Sequence, residues 1–177
     1  MMQINRAATL EDFWAFRGLM DDMAVWDAQE TRAQGYDSVA LLAEGYAGSA
    51  EDLLANFTAP GAALFLALID DKTAGCAGFS RACDGMAEVE KVYVGPEFRG
   101  LGIGAALLSR VMTGIRDGGY ASARLETANF MTAAQALYRR HGFAEVAAFR
   151  PSIGNTGTMS VFMQCDLGTG FAQERLP

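Results

Sequence analysis

The stretch Val92-Tyr93-Val94-Gly95-Pro96-Glu97-Phe98-Arg99-Gly100-Leu101-Gly102-Ile103-Gly104 joins the end of an extended run to the start of a helix. Ahead of Pro96 the run Ala87–Val94 reads as a strand. Beyond it Ile103, Ala106, Leu107, Arg110, Val111, Gly114 and Ile115 fall on one stripe of a helix that stops at Gly118-Gly119. Glycines at 100, 102 and 104 let the backbone turn tightly and bring successive N–H groups to one point. The helix N-terminus adds its own free N–H groups and partial positive charge, and Arg99 a full charge beside them. Together these make a cradle for a diphosphate. A Walker A loop needs Lys and then Ser or Thr after its last glycine, and here Ala105 follows Gly104. A dinucleotide fingerprint needs a third glycine where Leu107 stands. Glu126 lies near the spacing of a ribose-binding acid, but the strands ahead of the loop read as antiparallel hairpins. A glycine turn without a ligand is the bland alternative.

Outward from this stretch, the chain reads as alternating strands and helices. Gln3–Ala7 is a short opening strand, and Thr9-Leu10-Glu11-Asp12 a capping box for a helix to about Met23. Ser38–Tyr46 and Glu51–Phe57 are further helical pieces. Ala63–Ile69, Gly75–Arg81 and Ala87–Val94 form successive hairpin strands around polar turns at Asp70–Thr73 and Cys83–Gly85. Ser122–Thr127 is a strand, Thr132–His141 a helix, Phe143–Phe149 a strand, and Thr158–Leu167 the last strand. Trp14 is expected in the core. The fold class is α/β, or α+β with a mixed sheet: about seven mostly antiparallel strands flanked by about four helices. Residues 1–167 are expected to form a single domain, with a frayed tail over 168–177.

At 177 residues, 51% hydrophobic and 20% charged, the chain is long enough to bury one core without metal or disulfide staples. Its net charge of −7 argues against broad nucleic-acid binding, which needs a basic face. An acidic surface also suits a cationic small molecule. Cys76, Cys83 and Cys165 have no paired spacing, and His141 is the sole histidine, so neither a metal site nor a Ser-His-Asp triad is suggested. No apolar run approaches a membrane span, and the N-terminus is acidic where a signal peptide is apolar. The expectation is a cytoplasmic protein with no membrane or nucleic-acid partner, compatible with a homodimer.

Tyr93-Val94-x-Pro96-x-x-Arg99-Gly100-x-Gly102-Ile103-Gly104 resembles motif A of the GNAT superfamily of acyl-CoA-dependent N-acetyltransferases, and Ala134-x-x-Leu137-Tyr138-x-x-x-Gly142-Phe143 resembles its motif B. The order of elements fits that superfamily over about Gln3–Leu167. The resemblance implies that acetyl-CoA is the acyl donor, as cosubstrate and without a metal. It implies that backbone N–H groups of Arg99, Gly100, Leu101, Gly102, Ile103 and Gly104 hold the diphosphate of coenzyme A. It implies further that the backbone of Val92, Tyr93 and Val94 pairs with the pantetheine arm, and that an N–H near Val94 meets the developing oxyanion. The family often has an asparagine three residues before the motif B alanine. Met131 stands there, with Asn129 close by as a candidate substitute.

Acetyl transfer to an amine needs a base for the incoming ammonium and a donor for the departing thiolate. Family position gives the second role to Tyr138. Glu88, eleven residues before Arg99, is where some members place a glutamate base. Alternation along the strand puts Glu88 and Glu90 on one side with Val92 and Val94. Glu90 has three open readings: a base, an anionic seat for a cationic substrate, or a solvated acid. Trp26, Tyr36, Tyr46, Phe149 and Asn155 are candidates for substrate contact. The expected function is acetyl transfer from acetyl-CoA to a primary amine in a ternary complex, with a small cationic amine as acceptor. Alternatives are a protein N-terminus or lysine as acceptor, or a non-catalytic acyl-CoA-binding sensor.

Overall fold

In a computed structural model, residues 1–83, 85–152 and 159–168 are described. The strands are β1 (Met2–Arg6), β2 (Ala63–Ile69), β3 (Lys72–Arg81), β4 (Met86–Val94), β5 (Ser122–Ala128), β6 (Ala144–Glu145) and β7 (Ser160–Asp166). The helices are α1 (Leu10–Ala33), α2 (Val39–Gly45), α3 (Ala50–Thr58), α4 (Ile103–Asp117) and α5 (Thr132–Arg140), with one 3₁₀ turn at Pro96–Phe98. The strands form one seven-stranded sheet in the order β1-β2-β3-β4-β5-β7-β6. Only β4 and β5 pair in parallel; every other neighbouring pair is antiparallel. Seven strands agree with the sequence reading, and the described helices number five where about four were expected. The expected tail beyond 168 and the candidate Asn155 lie outside the described residues.

Two cores sandwich the sheet. On one face α4 sets Leu107, Leu108, Val111 and Ile115 against Phe65, Phe79 and Met163. On the other, α1 and α3 set Phe13, Phe16 and Phe57 against Leu64, Leu66, Cys76 and Tyr93. The capping box at Thr9 and Asp12 forms as expected. Helix α1, however, continues ten residues past Met23 to Ala33. The apolar period fades there because its buried stripe passes through Asp27 and Thr31, polar residues on the inward face. Trp14 is 60% exposed, against expectation, because Phe13 and Phe16 take the core-facing positions of that turn. The strand expected over Phe143–Phe149 narrows to Ala144–Glu145.

One irregularity positions the site. Cys76 pairs with Tyr93 and Gly78 with Glu90, so Lys91 and Val92 together oppose the single residue Ala77. This is a β-bulge, and Lys91 adopts the left-handed φ of 59° within it. The extra residue inverts the alternation of β4. Ala87 and Val89 before the bulge, and Val92 and Val94 after it, all face the α4 core, while Tyr93 turns to the α1 core. Glu88 and Glu90 therefore do not share a face with Val92 and Val94, which corrects the alternation read from sequence. They point to the α1 side of the sheet.

Candidate active site

Strands β4 and β5 are bonded only where Met86–Glu88 meets Ser122–Arg124. Past Glu88 they part, and the edge of β4 that faces β5 loses its partner strand. Below this divergence lies a cavity of about 200 Å³. Its walls come from α1 (Met20, Met23, Asp27), α2 and the residues after it (Leu41, Tyr46), β4 (Glu88 to Val92), β5 (Glu126–Ala128) and the start and middle of α5. Tyr138 reaches it from α5 and Arg150 from the segment after β6.

Tyr138 is buried, edge-on to Phe143 with ring centroids 6.0 Å apart. Burial pushes its phenol well above the ordinary tyrosine range, so it stays protonated. No hydrogen bond ties its hydroxyl to any described residue. Glu90 accepts a hydrogen bond of 2.6 Å from Ser80 Oγ. Burial, the largest influence, raises its carboxyl above the usual range, against the opposing effects of Ser80 and Lys91. The cavity thus holds both a carboxyl suited to take a proton and a phenol suited to give a hydrogen bond.

Glu88 is differently placed. Arg124 Nε donates to its Oε2 at 3.0 Å, and Arg150 Nη1 donates to its Oε1. Arg150 Nε also donates to Glu126 Oε2 at 3.0 Å, and Ser160 Oγ to Glu126 Oε1 at 2.7 Å. Arg150 thus bridges a carboxylate on β4 and one on β5 just where the two strands separate. The Phe149 ring centroid lies 4.2 Å from the Arg124 guanidinium carbon and 5.3 Å from that of Arg150. Substituting Arg150→Met strips a donor from both carboxylates. We expect a loss of roughly 1.5–3 kcal/mol in chemical denaturation, the usual worth of hydrogen bonds to charged groups.

The glycine turn lies at the far end of β4. Gly100 and Gly102 have φ of 82° and 77°, a region costly for other residues, and a Cβ on either would meet nothing within 4 Å. Their flank is open backbone. Gly104 is different: a Cβ there would rest in ordinary contact with Leu137 and Val94, so neither space nor backbone demands glycine at that position. The N–H groups of Ile103, Gly104 and Ala105 open α4 and have no carbonyl within the helix to bond. Arg99 donates from Nε to Val94 O at 3.2 Å and lies 5.6 Å from the Trp26 ring. This geometry fits a diphosphate: open space, unpartnered donors and one guanidinium.

Among the residues singled out from sequence, Glu88, Glu90, Val92, Tyr46 and Tyr138 line the cavity. Trp26 does not; its ring meets Arg99 and Phe130. Phe149 is not on the wall; its ring lies against Arg124, Arg150 and Phe162. Asn129 is exposed past the end of β5, whereas Met131 lies on the wall. His141 ends α5, with its ring nitrogens against Leu137 O and Ser109 Oγ. Asp27, Lys91 and Arg150 were missed. Asp27 falls where the helical period had faded, and Arg150 acts through partners 62 and 24 residues away.

No described helix is long and apolar enough to cross a membrane. Residues 23–143, more than half of the chain, match the family described as "Acetyltransferase (GNAT) family". A curated relative, an IAA acetyltransferase of Azospirillum brasilense, is 36% identical over 80 residues, which are 45% of this chain. The matched stretch spans about half the length of that relative. The structure of yncA, a putative acetyltransferase from Salmonella typhimurium with its cofactor acetyl-CoA, superposes with a TM-score of 0.73 at 22% identity, covering 99% of both chains. The paia N-acetyltransferase of Thermoplasma acidophilum, in complex with coenzyme A, gives 0.72 at 18% identity over 94% of this chain and 99% of its own. At such identities these likenesses are of fold. With the sequence match across the divergent strands, the glycine turn and Tyr138, they place the chain in the GNAT family of acetyltransferases.

Proposed function

We propose that the chain transfers the acetyl group of acetyl-CoA to the primary amine of a small cationic acceptor bound in the cavity, with residues 1–167 acting as one transferase unit. The observation that carries this reading is the parting of β4 from β5 past Glu88, with the glycine turn at one end of the freed edge and Tyr138 and Glu90 beside it. Acetyl-CoA brings a thioester that is electrophilic at its carbonyl carbon and has a thiolate leaving group. The residues Arg99 to Gly104 hold the diphosphate. The freed edge of β4 at Val92–Val94 offers peptide groups to the pantetheine arm and a donor to the acetyl oxygen. Met131 supplies only apolar contact on that path, and Asn129 is reserved as a contact at its outer end.

Glu90 takes a proton from the ammonium, which frees the amine to attack. The sequence reading gave this role to Glu88. Each oxygen of Glu88 already accepts an arginine N–H, so the base is Glu90, and Glu88 holds Arg150. Tyr138 gives a hydrogen bond to the departing sulfur. Over the whole reaction the ammonium loses two protons, the first before attack and the second as the N–C bond forms and the C–S bond breaks. One leaves through Glu90 and one ends on the thiol of coenzyme A.

The test is thermal unfolding with acetyl-CoA, coenzyme A or NAD, followed by thiol release over a panel of amines. Either coenzyme A species at about 100 times its Kd should add roughly 2.7 kcal/mol. That corresponds to about 2–4 °C in Tm per kcal/mol for a chain of this size. NAD should add nothing. No shift with coenzyme A overturns the reading; a shift without turnover on any amine leaves the sensor.

A further inference from the structure

The proposed reaction leaves Asp27 without a task. It projects from α1 into the cavity, is 6% exposed, and accepts a hydrogen bond of 2.7 Å from Tyr46 at Oδ2. Its other oxygen has no partner among the described residues, and no described cation pairs with it. Lys91, the cavity's lysine, is engaged elsewhere: its Nζ donates to Gly45 O at 2.5 Å and lies 5.6 Å over the Tyr46 ring. A buried carboxylate without a cation is costly. Burial accordingly raises the Asp27 carboxyl, with Tyr46 opposing and Glu30 adding to the rise. A tie to Tyr46 alone needs only a neutral oxygen, which asparagine would give without that cost. The charge makes sense where a ligand's cation meets it.

Its surroundings say which kind of ligand. Met20, Met23 and Leu41 line the same cavity and offer apolar wall to a hydrocarbon chain. Asp27 enters the cavity from α1 and Glu90 from β4, so the two carboxyls are carried by different elements. The cavity thus presents two carboxyls, one for the reacting amine and one for a second cation.

We infer that Asp27 determines specificity by binding a second cationic group of the acceptor, so that the preferred acceptors are aliphatic diamines or longer oligoamines. This rests on the acetyl transfer proposed above. The amino group near Glu90 is acetylated, and the distal ammonium stays charged on Asp27.

The experiment compares α,ω-diaminoalkanes of increasing length with n-alkylamines of equal length, by thiol release with acetyl-CoA. For the best-fitting length, wild type should show kcat/KM at least about tenfold higher for the diamine, carried mainly by KM. Asp27→Asn keeps an oxygen for Tyr46 but removes the charge, and the preference should collapse towards parity. Equal use of diamines and monoamines by wild type overturns the inference, as does an unchanged preference in Asp27→Asn; both leave acetyl transfer standing. Turnover on no amine despite bound acetyl-CoA means that the proposed function itself has failed, and the inference falls with it. Should Asp27→Asn not fold, calorimetry on wild type with coenzyme A decides: tighter binding of the diamine by about tenfold supports the inference, and equal affinity overturns it.

Discussion

Replacing Tyr138 with phenylalanine should lower kcat about 100-fold while leaving coenzyme A affinity and Tm near wild type. Positioned proton donors contribute about 10²–10⁴-fold, and the lower end applies because the proposed role is a hydrogen bond to sulfur. The phenol is raised above its ordinary range by burial, so complete transfer to a thiolate is unfavourable, whereas donation is available at every working pH. The fold should tolerate the change because the hydroxyl binds no described residue and phenylalanine keeps the edge contact with Phe143. Steady-state thiol release gives kcat, and titration with coenzyme A gives affinity. An unaltered kcat would make Tyr138 a core aromatic only.

The fold was legible where local chemistry and burial agree. Phe13 and Phe16, the run Ala63–Ile69 and the stripe of α4 announce their elements because each buries an apolar face. The glycine turn was legible because Gly100 and Gly102 occupy backbone that other residues enter only at a cost. What escaped depends on partners far along the chain. The bulge at Lys91 lacks the glycine that marks many such sites, and only pairing with Ala77 reveals the extra residue. That one residue decides which way Glu88 and Glu90 face. Asp27 was hidden because a polar residue in a buried helical position looks like the end of the pattern. Arg150 and Glu88 meet across 62 positions, so spacing along β4 gave no hint that Glu88 is already paired.

Glu90→Gln should cost activity and raise stability at the same time. The amide keeps an oxygen for Ser80 Oγ but cannot take a proton, so kcat near neutral pH should fall at least about 100-fold. Wild-type kcat/KM should decline as pH falls through the raised Glu90 carboxyl, and in the variant that limb should vanish, leaving titration of the amine and of Asp27. The effect on folding runs the other way. Because burial raises the Glu90 carboxyl, the folded chain holds that proton to higher pH than the unfolded chain does. Between those two values the native state binds more protons, and wild-type stability falls as pH rises. Glutamine has no charged form to desolvate. The variant should therefore melt higher than wild type above the ordinary carboxyl range, and the difference should close as pH drops below it. Asp27, raised by the same cause, remains in both proteins and leaves a residual slope. Thermal melts across pH and pH–rate profiles of both proteins supply the measurements. A variant that keeps kcat and loses only KM would make Glu90 a seat for the ammonium, with the proton leaving through water. A carboxyl held buried, at a cost to the fold, in the cavity that Tyr138 also lines is what the proposed base for an ammonium substrate requires.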